Sequence, residues 1–248
     1  MKQIRDSMGM PVTIEIAETE AKQEYFDKVF DYLAHIDEKF STYKKDSEIS
    51  RINRGEISPD KYSEEMKTVF KLSEDTKRET EGFFDIQKPD GSYDPSGLVK
   101  GWAIYNAGLL LKKCGCKNFF VDVAGDIESS GKNGEGGDWS VGIRNPFNKK
   151  EIVKVLYPKG KGVATSGTYI RGSHIYNPHT KKAVETDVVS LTVIGPNVYE
   201  ADRFATGAYA MGNLGIQFLE KLPGFEAYAI SKEGVATMTS GFENFMRV

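Results

Sequence analysis

Val188-Val189-Ser190-Leu191-Thr192-Val193-Ile194 is followed, after Gly195-Pro196, by Asn197-Val198-Tyr199-Glu200-Ala201-Asp202-Arg203-Phe204-Ala205-Thr206. The first run is the strongest strand signal in the chain, because β-branched residues fit a pleated, buried surface. Asn197 with Glu200 three residues later is an N-cap pattern, and it opens a helix to about Met211. A strand feeding directly into a helix excludes an all-α or all-β chain.

Outward from this unit the same two periods recur. Residues 12–16 alternate and predict a strand. Tyr25, Phe26, Val29, Phe30, Leu33, Ile36 and Phe40 repeat at helical spacing, so residues 21–40 predict an amphipathic helix. Ser63 to about Thr80 predicts a second helix, with Gly82 as its stop signal, and 101–113 a third. Strands are predicted at 119–123, 139–144, 152–156, 163–165 and 227–230, and a short helix at 214–222. Helices and strands mix without strict βαβ alternation. That predicts an α+β fold with a mixed, largely antiparallel sheet and flanking helices. No Pro- or Ser-rich linker divides the chain, so residues 1–248 are expected to form a single compact catalytic unit, with two lobes around a cleft left open.

Composition narrows the function. The chain has 248 residues, 39% of them hydrophobic, enough for a sizeable core and too many for wholesale disorder. Lys and Arg number 33 against 36 Asp and Glu, a net charge of −3, which argues against a nucleic-acid partner. Small nucleotides stay open, since one site needs no basic chain. No apolar run is long enough for a transmembrane helix. The start, MKQIRDSMGM, has no apolar signal core. A cytoplasmic protein is expected, or an exported mature form if a leader has been trimmed away.

Asp202 and Thr206 fall four apart, on one face of the predicted helix. A carboxylate and a hydroxyl are hard oxygen donors suited to Mg²⁺. Spacing alone leaves open a solvated Asp beside a Thr bonded back to its own helix. His174, among small residues, is either a general base or a structural imidazole. His35 and His179 read as surface or packing residues. Residues 94–101 open the third helix, where free amides and Lys100 favour phosphate; an ordinary capped helix fits as well. Ala124-Gly125-Asp126 and Thr165-Ser166-Gly167 end strands with small residues, which allows either close approach of a ligand or tight turns. Gly82-Phe83-Phe84-Asp85 offers aromatic faces or simple core. Cys114 and Cys116 are too close for an easy disulfide and are expected to be structural.

The order of these segments resembles the ApbE flavin transferase family. Met8-Gly9-Met10 is similar to its opening Met-Gly-Thr. Phe40-Ser41-Thr42-Tyr43 and Ser47-Glu48-Ile49-Ser50-Arg51-Ile52-Asn53 match its early loop. Gly82-Phe83-Phe84-Asp85, Asp94 to Ala103, Ala124-Gly125-Asp126, His174-Ile175-Tyr176-Asn177-Pro178 and Ala201-Asp202-Arg203-Phe204-Ala205-Thr206 follow in the family's order. Met10 stands where Thr is usual, and Asn177 where Asp is usual.

The resemblance implies a T-fold-like α+β unit and an enzyme. It would use Mg²⁺ and take FAD as substrate. The FMN moiety would move onto a Thr or Ser hydroxyl of an acceptor flavoprotein, with release of AMP. Asp202 and Thr206 would bind the metal through side chains, Gly97 and Ala205 through backbone oxygens. Met8, Tyr43, Phe83, Phe84, Asp85, Asp94, Lys100, Tyr176 and Ala205 would contact FAD, and His174 would be the catalytic base. Two alternatives remain: an Mg²⁺-dependent FAD pyrophosphatase giving FMN and AMP, and a non-catalytic flavin-binding module. Retention of both His174 and Asp202 weighs against the module.

Overall fold

A computed structural model describes residues 1–148, 150–167 and 176–246. The chain opens with a hairpin, β1 (Lys2–Ser7) and β2 (Met10–Ile16), in which Ser7 pairs with Met10. Its two turn residues, Met8 and Gly9, both have positive φ, which matches the right-handed twist of the strands they join. Four helices follow: α1 (Gln23–Phe40), α2 (Glu48–Asn53), α3 (Glu64–Glu79) and α4 (Ser96–Lys113). The Ser63 side chain caps α3 by accepting from the Met66 amide at 3.2 Å. Ser47 caps α2 in the same way, accepting from Ser50 at 3.1 Å.

Strands β3 (Phe119–Val123), β4 (Asp126–Ser130), β5 (Val141–Arg144), β6 (Ile152–Leu156) and β7 (Gly162–Gly167) come next. Then come the short β8 (Tyr176–Asn177) and β9 (Lys182–Ala183), β10 (Val188–Gly195), α5 (Val198–Ala210), α6 (Gly215–Glu220), β11 (Glu226–Ser231) and β12 (Ala236–Met238). The main sheet runs β1-β2-β3-β4-β7-β10-β11-β12, and each neighbouring pair is antiparallel. The expected α+β class is therefore present, with a sheet antiparallel throughout.

Alternation along the strands splits the core in two. Val12, Ile14 and Ile16 of β2 and Phe119, Val121 and Val123 of β3 pack against α1 and α4. On the same face further along the sheet, Leu191 and Val193 of β10 meet Ala201, Phe204 and Ala208 of α5. The opposite face buries Ile194, Val163 and Tyr228 under the β5–β6 hairpin and Phe242. β10 is thus covered on both faces, which is why its sequence is an almost continuous apolar run. Helix α4 packs against α1, α5, β3 and β4, so it is apolar on most sides rather than along one stripe. Its start lies five residues before the periodicity suggested, because Ser96–Lys100 form its first turn beside α5.

Candidate functional site

A cleft opens where the start of α4 faces α5 at the ends of β3 and β7. Phe83, Phe84, Asp85, Asp94, Gly97, Lys100, Tyr176, Asp202 and Thr206 all line it. Phe83 to Lys100 lie in the first half of the chain and Tyr176 to Thr206 in the second, so no single half holds the site. Ala124, Thr165, Ser166 and Gly167, the small residues at strand ends, complete the wall.

The α4–α5 crossing sets the centre of the cleft. The Gly101 amide donates to Asp202 Oδ2 at 2.7 Å. Thr206 Oγ1 donates to the Gly97 carbonyl at 3.2 Å. Gly97 and Gly101, four apart on α4, thus meet Asp202 and Thr206, four apart on α5. The contact is close enough to need glycine: a Cβ on Gly101 would lie 2.5 Å from Asp202 Cβ. Asp202 is 5% exposed, so its carboxylate faces the cleft from a largely dry setting.

The donors that converge here are one carboxylate, one hydroxyl and one backbone carbonyl, all hard oxygens. Among the described residues no three His, Cys, Asp or Glu side chains gather at one point. The oxygen set suits Mg²⁺, which keeps several waters and takes the rest of its shell from substrate phosphates. Ala205 lies between the two side-chain donors but packs into the core at 0% exposure and does not line the cleft.

Charge on the walls is mostly paired. Lys100 Nζ lies 2.6 Å from Asp126 Oδ2, and the Asp126 side chain is only 2% exposed. Asp126 Oδ1 also accepts from the Thr165 amide at 3.1 Å, tying β4 to β7. Lys77 pairs with Asp85 at 2.7 Å, and that contact holds the lysine above its ordinary pKa. Asp94 Oδ1 accepts from the Ser96 amide at 3.1 Å, so it caps the first turn of α4.

Aromatic and backbone contacts hold the rim. The Tyr176 hydroxyl donates to the carbonyls of Asp85 at 3.0 Å and Gln87 at 2.6 Å. Burial, with Asp85, Asp94 and Asp90 nearby, pushes its hydroxyl up to about 12, so it stays a donor at neutral pH. Thr80 Oγ1 accepts from the Phe84 amide at 3.0 Å and places that ring. Asn53 exchanges two bonds with the Tyr93 backbone, at 2.9 and 2.7 Å, which fixes the loop before Asp94.

Other predicted residues fall elsewhere. Met8 is a hairpin-turn residue packed on the core, and Tyr43 is 97% exposed; neither lines the cleft. His174 lies outside the described residues. His179 has partners the sequence did not reveal: its Nε2 lies 3.1 Å from the Glu81 carbonyl, and its ring meets Phe83 edge-on at 4.4 Å. His35 Nε2 lies 2.9 Å from Glu65. Cys116 is buried, its thiol pushed up to about 11, consistent with a packing role. Lys88, a cleft residue missed from the sequence, carries no motif signal; only the fold brings its loop to the rim.

The ApbE family profile matches residues 8–90 and 87–229. The FAD:protein FMN transferase of Escherichia coli (strain K12) is 28% identical, over 89% of this chain and 81% of that protein. The protein of the same name from Klebsiella pneumoniae (strain 342) is 33% identical, over 66% of this chain and 48% of its own length. Among solved structures, the flavin transferase ApbE from Vibrio cholerae superposes with a TM-score of 0.87 at 24% identity, covering 99% of both chains. The ApbE protein of Thermotoga maritima gives 0.86 at 20% identity, covering 100% of this chain and 99% of that one. At those identities the two structures establish the fold.

Proposed function

Because the chain belongs to the ApbE family, we propose that it is a flavin transferase that moves the FMN part of FAD onto a Thr or Ser hydroxyl of an acceptor flavoprotein. Its relatives carry the name FAD:protein FMN transferase across 89% of the chain. The observation that supports the reading is the meeting of Asp202, Thr206 and the Gly97 carbonyl in a cleft walled by Phe83, Phe84 and Tyr176. That places oxygen donors beside flat apolar surface, the two chemistries that a dinucleotide with a flavin ring requires. Residues 1–248 act as one catalytic unit, since the wall residues come from both sides of the chain's midpoint, 83–124 and 165–206.

In this reading Asp202, Thr206 and the Gly97 carbonyl would hold Mg²⁺, which when bound supplies positive charge beside the FAD diphosphate. Gly101 orients the Asp202 carboxylate by its amide. Phe83, Phe84 and Tyr176 hold the rings and exclude water. Asp94 and the first turn of α4 stand beside the phosphates, and Lys100 adds positive charge tempered by Asp126. His174 would take the proton of the acceptor hydroxyl as its oxygen bonds to the FMN phosphorus; the phosphoanhydride bond breaks and AMP leaves.

The test is incubation with FAD, Mg²⁺ and an acceptor domain that carries a flavinylation threonine. Covalent flavin on the acceptor, one AMP released per flavin, is expected. Free FMN and AMP with an unlabelled acceptor would instead show a pyrophosphatase. FAD bound without turnover would leave a flavin-binding module.

A further inference from the structure

Glu128 lies on β4, 3% exposed, outside the cleft and unused by the chemistry above. Its Oε2 accepts from the Val198 amide at 2.9 Å. Val198 is the first residue of α5, so this carboxylate, 70 residues away in sequence, satisfies one of the helix's orphan amides. Asn197 serves another, accepting from Glu200 at 3.0 Å. A negative charge at a helix start also meets the positive end of the helix dipole.

The same helix start is wedged on two other sides. A Cβ on Gly162 of β7 would lie 1.9 Å from the Val198 nitrogen, so strand and helix backbones touch. A Cβ on Gly101 of α4 would lie 2.8 Å from the Val198 carbonyl. A Cβ on Gly108 of α4 would lie 3.0 Å from Glu128 Cγ. The first turn of α5 is therefore gripped by β7, α4 and the Glu128 carboxylate. Asp202 stands four residues further along this helix, one turn from the grip.

We propose that Glu128 is a positioning residue: its carboxylate anchors the amino end of α5 and so sets where Asp202 and Thr206 stand in the cleft. As far as it concerns FAD, this rests on the flavin-transfer reading. A neutral residue could take the Val198 bond, but a charged acceptor makes a bond about twice as strong. The charge carries a cost. Burial pushes the Glu128 carboxyl up to about 7 against the bond from Val198, which favours the ionised form. The charged side chain acting on it is Lys112 of α4. From α5 it faces the Val198 amide, and beside Gly108 it adjoins the Phe119 ring of β3. Ionisation strengthens the Val198 bond, but the burial of the charge costs more, so the anchored state loses stability as pH rises through neutrality.

The test is amide hydrogen exchange across 198–206 in the full chain at pH 6 and pH 8, each corrected for the intrinsic rate. In the parent protein, protection is expected to fall about tenfold from pH 6 to pH 8, because opening releases the buried carboxylate to water. Glu128→Gln keeps the shape and the acceptor without the charge and should hold one level at both values, above the parent's at pH 8. Glu128→Ala, which removes the acceptor, should fall below Glu128→Gln at both. A Gln variant that keeps the parent's pH response overturns the proposal. FAD affinity with Mg²⁺, measured by titration without acceptor, should follow the same pattern in the same variants. Exchange that changes while FAD affinity stays put overturns the positioning of Asp202. If no protein binds FAD at either pH, the flavin reading fails, and the exchange data still decide the anchor.

Discussion

The Gly101 amide donates to Asp202 Oδ2 at 2.7 Å, across 101 residues of sequence. The carbonyl of Gly97, four residues earlier on α4, accepts from Thr206, on the same helix as Asp202. Two helices thus share hydrogen-bonding groups at the wall of the cleft. Both side chains that could hold a cation are oriented by the backbone of the other helix.

Gly101→Ala should force α4 and α5 apart. Its Cβ would sit 2.5 Å from Asp202 Cβ and 2.8 Å from the Val198 carbonyl, where backbone cannot yield easily. Overpacking of this kind costs about 1–3 kcal/mol. Thermal unfolding should show a clear fall in Tm, and flavin transfer should drop with it. An unchanged Tm would mean the crossing is looser than described.

Asp202→Asn keeps the size of the side chain and can still accept from Gly101. Folding should be little affected. Transfer to an acceptor, assayed over a Mg²⁺ titration, should fall on the order of 100-fold or more, because one charged donor is lost. Full activity would remove Asp202 from the cation site.

Lys100→Met should strand Asp126, whose side chain is 2% exposed and 2.6 Å from the lysine. Breaking a buried pair from one side costs about 3–5 kcal/mol. Adding Asp126→Asn should recover part of that loss, leaving FAD affinity reduced. A double-mutant cycle by denaturant unfolding measures the coupling, and additive losses would show that the pair contributes nothing.

Tyr176→Phe removes a hydroxyl whose one proton is shared between the carbonyls of Asp85 and Gln87. The ring stays, but the rim loses its tie. At about 1 kcal/mol for that bond, the KM for FAD should rise roughly fivefold with little change in Tm. A fall in kcat alone would place this tyrosine in the chemistry instead.

Glu128 gives stability a pH dependence of known sign. Its folded-state pKa of about 7 lies above the ordinary 4.5, so the folded chain holds a proton that the unfolded chain releases. Stability from this group is full below about 4.5 and is lost as pH rises through 7. Glu128→Gln should therefore match the parent at pH 4.5 and exceed it at pH 8, by up to about 3 kcal/mol. Equal unfolding curves at pH 8 would refute the raised pKa.

Much of this molecule is legible in its sequence. The caps Ser63 and Asn197 bond as their patterns predict, because capping is settled within three residues. β2, β3 and β10 lie where alternation or β-branching places them. β1 and α2 carry no such signal: β1 is a half-exposed edge strand, and α2 is a single short turn of helix secured by Ser47 and its neighbours. Asn53 belongs to a recognisable motif, yet its bonds to Tyr93 follow from a loop 40 residues away. Lys88 and His179 gain their places at the rim from the same kind of distant folding.

By itself the sequence determined which side chains share a helix face or a strand face, and so it set Asp202 beside Thr206. Periodicity is local, fixed by 3.6 residues per helical turn and two per pleat. Only the tertiary structure decided what those faces meet: Gly97 and Gly101 against the two donors, Asp126 against Lys100, and Glu128 against the start of α5. Those pairings join residues 70 or more apart, or 26 apart between α4 and β4, and no local period encodes them. They arise because buried amides and charges must each find a partner once water is excluded, and the partner is whichever group the folded chain brings there.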